Sequence, residues 1–442
     1  MSVCVIGLGK LGYPMAEFLS TSGESISCYD KNQELLVELS NGNNPLKFEK
    51  YISEFISNSN PLKYFFNVDE ALKNSELCFV TVPTPSKDDG SFSNSFLIKV
   101  FDDLSNYLES FKKYSKNPYI IVINSTISPG SIDKKLIPHL EKKGFVNNND
   151  FCIIYNPYFV ALGDVLNGLK HPDMVLIGCQ NEYAKKKILK LYKKIYQMDV
   201  NFRIMNFKEA ELTKLLVNSY LTLKISFSNL VRNISLDDQI SSKVILDAIG
   251  TDSRIGQKYM KPGGPFSGPC LPRDNQALVK YCKDNSTPNY LSVGALETNN
   301  FTIEQLKNQI LKLKELGEKS ISFAGIGYKS NTHSMEESFI IPLMEYSHLI
   351  GLDVYYFDKY VTEDEVNLDF ANRVSVLKNL SAKSNIVFLP YVDNIFNELL
   401  NTDIIIWDIW YKITSIKTVR SINEFEKKRH LEKPEKIVNF KP

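Results

Sequence analysis

Short apolar, β-branched runs recur along residues 1–200, each followed by a segment whose apolar positions fall at helical spacing. The strand candidates there are Ser2–Ile6, Ser25–Asp30, Leu77–Val82, Ile120–Asn124, Phe151–Tyr155 and Met174–Gly178. Strand and helix in alternation predict a doubly wound sheet. From Lys208 to Ser235 runs a helical pattern unbroken by glycine or proline. Leu212, Leu215, Leu216, Leu223, Phe227 and Leu230 recur along it and make a face that needs a partner. A further unit opens near Ser320 with Ile321–Lys329. It continues through a helix to the strands Asp353–Asp358, Ile386–Leu389 and Ile404–Asp408. After Ser421 the chain turns lysine-rich and reads as a frayed surface segment.

The first strand runs straight into Gly7-Leu8-Gly9-Lys10-Leu11-Gly12 and then a helical stretch. Glycines in a strand-to-helix turn let the backbone approach a pyrophosphate, whose charge lies at the helix N-terminus. Asp30, closing the second strand, is placed to bind a ribose 2′-hydroxyl and to repel a 2′-phosphate, which favours NAD over NADP. Three later strands end in loops of functional type: Pro83-Thr84-Pro85, Ser125–Gly130 and Asn156–Phe159. Ligands of such sheets bind beyond the carboxyl ends of the strands.

Composition narrows the classes. A chain of 442 residues with 43% hydrophobic content supports two or three domains. The net charge of +1 argues against a nucleic-acid surface. Seven cysteines without a repeating spacing suggest a reducing compartment and no metal framework. No apolar run reaches membrane-spanning length, and the first residues already form a core strand, so a cytoplasmic protein without membrane partner is expected.

Between Gly250 and Ala277 glycine and proline crowd around one thiol, Cys270. Neither helix nor strand tolerates that density, so Cys270 is expected on a tight, exposed turn. Arg273 nearby favours the thiolate, the form that attacks carbonyls; a buried packing cysteine is the plain alternative. On the long helix Lys214 and Asn218 lie four apart and share a face, where an amine and an amide can hold a water or alkoxide. A solvated surface lysine is the competing reading.

Together these segments resemble the UDP-glucose/GDP-mannose dehydrogenase family over nearly the whole chain. The likeness rests on Gly7–Pro14, Val82–Pro85, Ser125–Gly130, Glu211–Asn218, Ser267–Asp274 (with Arg273 for the usual lysine) and Gly327–Lys329. It implies an α/β fold of two Rossmann-like domains joined by a central helical domain with a long dimerisation helix, divided as 1–200, 201–305 and 315–442. It also implies NAD-dependent, four-electron oxidation of a sugar C6 hydroxymethyl to a carboxylate, through a thiohemiacetal and thioester on Cys270. Catalysis would fall to Cys270, Lys214, Asn218, Asp274 and Thr126. Gly7, Gly9, Leu11, Gly12, Asp30, Thr84, Thr126 and Arg273 would hold NAD. Tyr158, Lys214, Asn218, Gly264 and Lys329 would meet the nucleotide sugar, Tyr259 stacking on the base and Arg254 reaching the partner subunit's site.

Four positions depart from the family pattern. Tyr158 and Leu162 stand where it has glutamates that assist proton transfer and thioester hydrolysis. Glu336 and Trp410 stand where it has arginines. UDP-glucose is the first substrate expected, with UDP-N-acetylhexosamines or GDP-mannose as alternatives. Two rivals of other kinds remain: a hydroxyacid dehydrogenase, which needs no cysteine, and a catalytically silent nucleotide-sugar-binding dimer.

Overall fold

The computed structural model describes residues 1–44, 46, 49, 60–73, 75–196, 198–238, 240–362, 365–413, 415 and 417–431. They fall into two compact units, Met1–Val217 with Gln276–Thr287, and Asn218–Asn275 with Pro288–Pro442.

The first unit is built on an eight-stranded sheet. In chain order its strands are β1 (Ser2–Ile6), β2 (Ser25–Tyr29), β3 (Lys63–Tyr64), β4 (Leu77–Val80), β5 (Tyr119–Ile123), β6 (Phe151–Tyr155), β7 (Val175–Cys179) and β8 (Phe202–Met205). Their order in space is 3-2-1-4-5-6-7-8, and only β6 and β7 pair antiparallel. A parallel sheet is covered on both faces, which is why β4, β5 and β6 are apolar and buried throughout. Successive side chains serve opposite faces. Val3 and Val5 pack into one core, and Cys4 and Ile6 into the other. The chain reverses its winding between β1 and β4, and the loops leaving these strands meet there.

The second unit repeats that topology with six parallel strands: β9 (Ser320–Ala324), β10 (Asp353–Phe357), β11 (Asn372–Arg373), β12 (Ile386–Phe388), β13 (Ile405–Trp407) and β14 (Thr418–Val419). They lie in the order 11-10-9-12-13-14. Phe323, Phe388 and Trp407 form its aromatic centre, with ring centroids 5.7 and 4.8 Å apart. The expected strands are all present. The two- to four-residue edge strands β3, β8, β11 and β14 were not read from the sequence.

Four helices bear on the site: α1 (Gly12–Ser20), α2 (Phe207–Asp238), α3 (Leu271–Asp284) and α4 (Tyr290–Glu315). The 32-residue α2 is the long helix expected, and most of its inward side chains are polar while part of its apolar face, Leu215 excepted, points outward. Glu211, Lys214, Asn218, Thr222, Ser226, Asn229 and Arg232 are buried. Leu216, Tyr220, Phe227, Leu230 and Ile234 are exposed, Tyr220 by 62% and Ile234 by 55%. These apolar positions are spaced four, seven, three and four residues apart, as in a coiled-coil seam. The expected frayed tail is corrected in part: Ile422–Leu431 is helical and buries Ile422 and Phe425 in the second core. Burial of those two apolar side chains outweighs the local charge. Residues 432–442 lie outside the described residues.

Candidate active site

In the first unit, the turn after β1 is set by its glycines. A Cβ on Gly7 would collide with the Thr81 carbonyl, and one on Gly12 with the Gly7 carbonyl; one on Gly9 would have nothing within 4 Å. The outer glycines are thus demanded by packing, and Gly9 keeps an open backbone face. Leu11 occupies the N-cap position of α1, whose first turn carries no acidic residue. That is an electrostatic setting for a phosphate. The Leu8 and Asn32 N–H groups donate to the Asp30 carboxylate at 2.7 and 2.8 Å. A carboxylate has about four acceptor directions, so Asp30 can still receive ribose hydroxyls. This turn fits NAD.

The next two loops are stitched together. Thr84 Oγ1 donates to the Thr126 carbonyl at 2.6 Å, and Ser125 Oγ to the Val82 carbonyl at 2.6 Å, while the Val82 N–H donates back to Ser125 Oγ at 3.1 Å. Beneath them lies Glu211, fully buried, accepting the N–H groups of Gly130 and Ile132, the latter at 3.0 Å. Burial pushes its carboxyl up to about 7, against the pull of those N–H groups. Glu211 belongs to the motif Glu211–Asn218, in which no task for it is evident from the sequence. An acid on an otherwise inward-facing turn was the available signal.

Lys214, buried, donates from Nζ to the Tyr158 carbonyl at 2.8 Å and stands 4.6 Å from the Phe159 ring centre. The solvated-lysine reading is therefore set aside. The Tyr158 side chain turns away into the sheet. Its hydroxyl lies 2.9 Å from that of Tyr192, which in turn donates to Asn156. Burial raises the Tyr158 phenol well above the usual tyrosine range. Leu162 packs against the same core.

The second unit holds the thiol. Gly268, at φ +83°, has no room for a Cβ against the Tyr328 ring, and its N–H donates to the Glu337 carbonyl at 3.1 Å. Cys270 is exposed immediately before α3, as expected, and the Asp274 N–H closes on its carbonyl at 2.9 Å. The Asp274 carboxylate is buried and accepts from Asn218 Nδ2 at 2.6 Å. Arg273 Nε stands 3.6 Å from the same carboxylate. Tyr328 lies beside the thiol: burial, then the charges of Cys270 and Glu336, raise its phenol. The Lys329 ammonium is 5.6 Å from the Tyr328 ring.

Around this turn, Asn229 Nδ2 donates to the Gly264 carbonyl at 2.9 Å, and Ser228 Oγ to the Tyr259 carbonyl at 3.1 Å. Tyr259 is half exposed at φ +66°. Arg254 projects outward, its guanidinium on Asp252 at 2.7 and 3.0 Å.

The second sheet echoes the aspartate of the first. Asp358, after β10, accepts the N–H groups of Ile326, Gly327, Tyr360 and Val361 at 2.8, 3.3, 2.7 and 2.8 Å and is buried.

Among the described residues no cluster of His, Cys, Asp and Glu could hold a metal ion, and no helix is long and apolar enough to cross a membrane.

Residues 1–196 match the NAD-binding domain of the UDP-glucose/GDP-mannose dehydrogenase family, and residues 208–301 match its central domain. A Bacillus subtilis protein provisionally named a UDP-glucose 6-dehydrogenase is 32% identical over 364 residues, 81% of either chain. In fold, the chain is similar to a UDP-glucose dehydrogenase from Pyrobaculum islandicum, with a TM-score of 0.84 at 23% identity over 94% of this chain and 96% of that one. It is similar also to a UDP-D-ManNAc dehydrogenase from Pyrococcus horikoshii, with a TM-score of 0.78 at 22% identity and the same coverage.

Proposed function

The chain belongs to the UDP-glucose/GDP-mannose dehydrogenase family, and from that footing we propose that it oxidises the C6 hydroxymethyl of UDP-glucose to the carboxylate of UDP-glucuronate. The observation that carries the reading is the bond from Asn218 to the buried Asp274 carboxylate, one helical turn from the exposed Cys270.

NAD, when bound, accepts a hydride in each of two oxidations. Asp274, with a water held by Lys214, takes the hydroxyl proton as C6 becomes an aldehyde. The Cys270 thiolate, favoured by the N-terminus of α3 and by Arg273, adds to that aldehyde. Lys214 and Asn218 stabilise the oxyanion, which collapses to a thioester as the second hydride leaves. Water then cleaves the carbon–sulfur bond and returns the thiol. Four electrons leave the sugar and one water oxygen enters it.

Thr126, Thr84, Leu11 and the three turn glycines serve the cofactor. Tyr259, Gly264, Lys329 and the Tyr158 main chain serve the nucleotide sugar, and Arg254 acts in the partner's site. The exposed apolar seam of α2 joins two copies as a dimer. The names of the relatives favour UDP-glucose, with UDP-N-acetylhexosamine and GDP-mannose as competitors.

The test counts NADH per sugar consumed across these three nucleotide sugars. Two per UDP-glucose supports the reading, one points to a simple alcohol dehydrogenase, and none to a binding protein. Cys270→Ser should bind NAD and UDP-glucose yet form no acid; full acid production by this variant would remove the thiol from the mechanism.

A further inference from the structure

Arg232, on the inward face of α2, is only 1% exposed, and its Nη2 has no hydrogen-bond partner. Nη1 makes one long contact, 3.3 Å to Asn233 Oδ1. Burial pulls the guanidinium pKa down to about 10, and among the described residues the Tyr411 phenol is the one charge that opposes this. Arg420 offers a contrast in the same unit. It also meets Tyr411, with 4.8 Å between guanidinium and ring, but is neutralised by Asp408 at 2.6 Å. A guanidinium kept from water without an anion strongly destabilises the fold that holds it. Among the described residues no carboxylate pairs with it.

The surroundings specify a compensating anion. One turn before Arg232, Asn229 is bonded through Nδ2 to the Gly264 carbonyl, while its Oδ1 is buried without a partner. Gly263 lies against the indole of Trp410, and Gly264 against the Phe339 ring and the same indole, so closely that neither has room for a side chain. The Trp410 Nε1 is likewise buried and unsatisfied. Two unmet donors, one of them cationic, and one unmet acceptor therefore belong to the segments around this glycine turn, Asn229 and Arg232 on α2 and Trp410 against the turn itself. That set matches a phosphate with a neighbouring hydroxyl. It does not match a carboxylate of a second protein copy, which could not reach an arginine so deeply covered. Tyr411 adopts φ +54°, a conformation that costs a non-glycine residue energy, and its hydroxyl accepts from Ser242 Oγ at 3.1 Å.

We propose that Arg232 is a phosphate-binding residue for the nucleotide sugar of this chain, with Trp410 Nε1 as second donor and Asn229 Oδ1 receiving a hydroxyl of the same ligand. The identity of the ligand rests on the function proposed above; the need for an anion does not.

The experiment measures UDP and NAD affinity by calorimetry, with thermal melts of the ligand-free protein, for wild type, Arg232→Met and Arg232→Lys. Charge-assisted hydrogen bonds of this kind correspond to ~10- to 100-fold in affinity. Arg232→Met should lose about that much affinity for UDP, keep its NAD affinity, and melt higher than wild type because an uncompensated charge has gone. Arg232→Lys, which keeps the charge but not the fork, should fall between. UDP affinity within threefold of wild type in the methionine variant overturns the assignment and leaves the proposed function standing. A lowered melting point or failure to fold in that variant also overturns it, since the guanidinium would then be satisfied inside the chain. A wild type that binds neither UDP nor GDP and oxidises no nucleotide sugar overturns both.

Discussion

Asn218 and Asp274 are joined by a 2.6 Å hydrogen bond from amide to carboxylate, with both side chains buried. The bond ties the middle of α2 to the first turn of α3, the turn that closes on the Cys270 carbonyl. Because Asn218 donates, an asparagine at 274 can still accept through its own oxygen. Asp274→Asn should therefore keep the fold and lose the proton acceptor. We expect kcat to fall by ~10²–10⁴ while the melting temperature moves by only a few degrees. Steady-state NADH production beside a thermal melt checks this, and a kcat within threefold of wild type would exclude Asp274 as a base.

Glu211 supplies a pH dependence with a definite sign. Its folded-state carboxyl titrates at about 7, above the ordinary 4.5, so the folded protein holds this proton more tightly than the unfolded chain. Its contribution is full below about 4.5 and is lost as pH rises through about 7, by up to about 3 kcal/mol. Glu211→Gln should flatten that slope relative to wild type in denaturant melts across the window. Parallel slopes for the two proteins would refute it.

Tyr158 bears on the final step. Its phenol stays protonated at neutral pH and is turned toward Tyr192, so it accepts no proton from an attacking water. Hydrolysis should then be slow, with the acyl group accumulating on Cys270 and NADH appearing as a burst. Intact mass after quenching reads the acyl group directly; linear NADH from the first turnover with unmodified protein would show another base at work. Tyr158→Phe should preserve the burst at a stability cost of ~1 kcal/mol. Tyr158→Glu should not rescue hydrolysis, because it buries a carboxylate beside Tyr192 at a cost of several kcal/mol.

The outward apolar seam of α2 should hold two copies together. Leu230→Glu combined with Tyr220→Glu should shift the protein to monomer in sedimentation at micromolar concentration, with an unchanged circular dichroism spectrum. A wild type that sediments as a monomer would contradict the seam's role.

The sheets were legible because parallel strands covered on both faces must be written as unbroken apolar runs, as β5 and β6 are. The short edge strands carry too few residues for any period to register. The 26-residue α4 escaped because Gly294 interrupts it and its buried face includes Asn299 and Thr302, Asn299 being bonded to both the N–H and the carbonyl of Phe266. The site was legible where chemistry demands rare residues, as at Cys270, Lys214 and Gly9. Asn229, Arg232 and Asp358 went unread because their meaning lies in which backbone or ligand atoms they meet, and no spacing encodes that. On α2 the apolar pattern marked a face that needs a partner, but the pattern did not separate Leu215, which is buried inside the chain, from Leu216, Phe227 and Leu230, which are exposed.

The two aspartates that reach back to their glycine turns have different consequences for counting ligands. Asp30 keeps acceptor directions to spare, whereas four N–H groups consume those of Asp358. The second sheet repeats the topology of a dinucleotide site with its ribose-reading acid already saturated by the chain itself. An NAD titration should therefore reach its end point at one molar equivalent per chain, leaving the repeated fold to carry a different cargo.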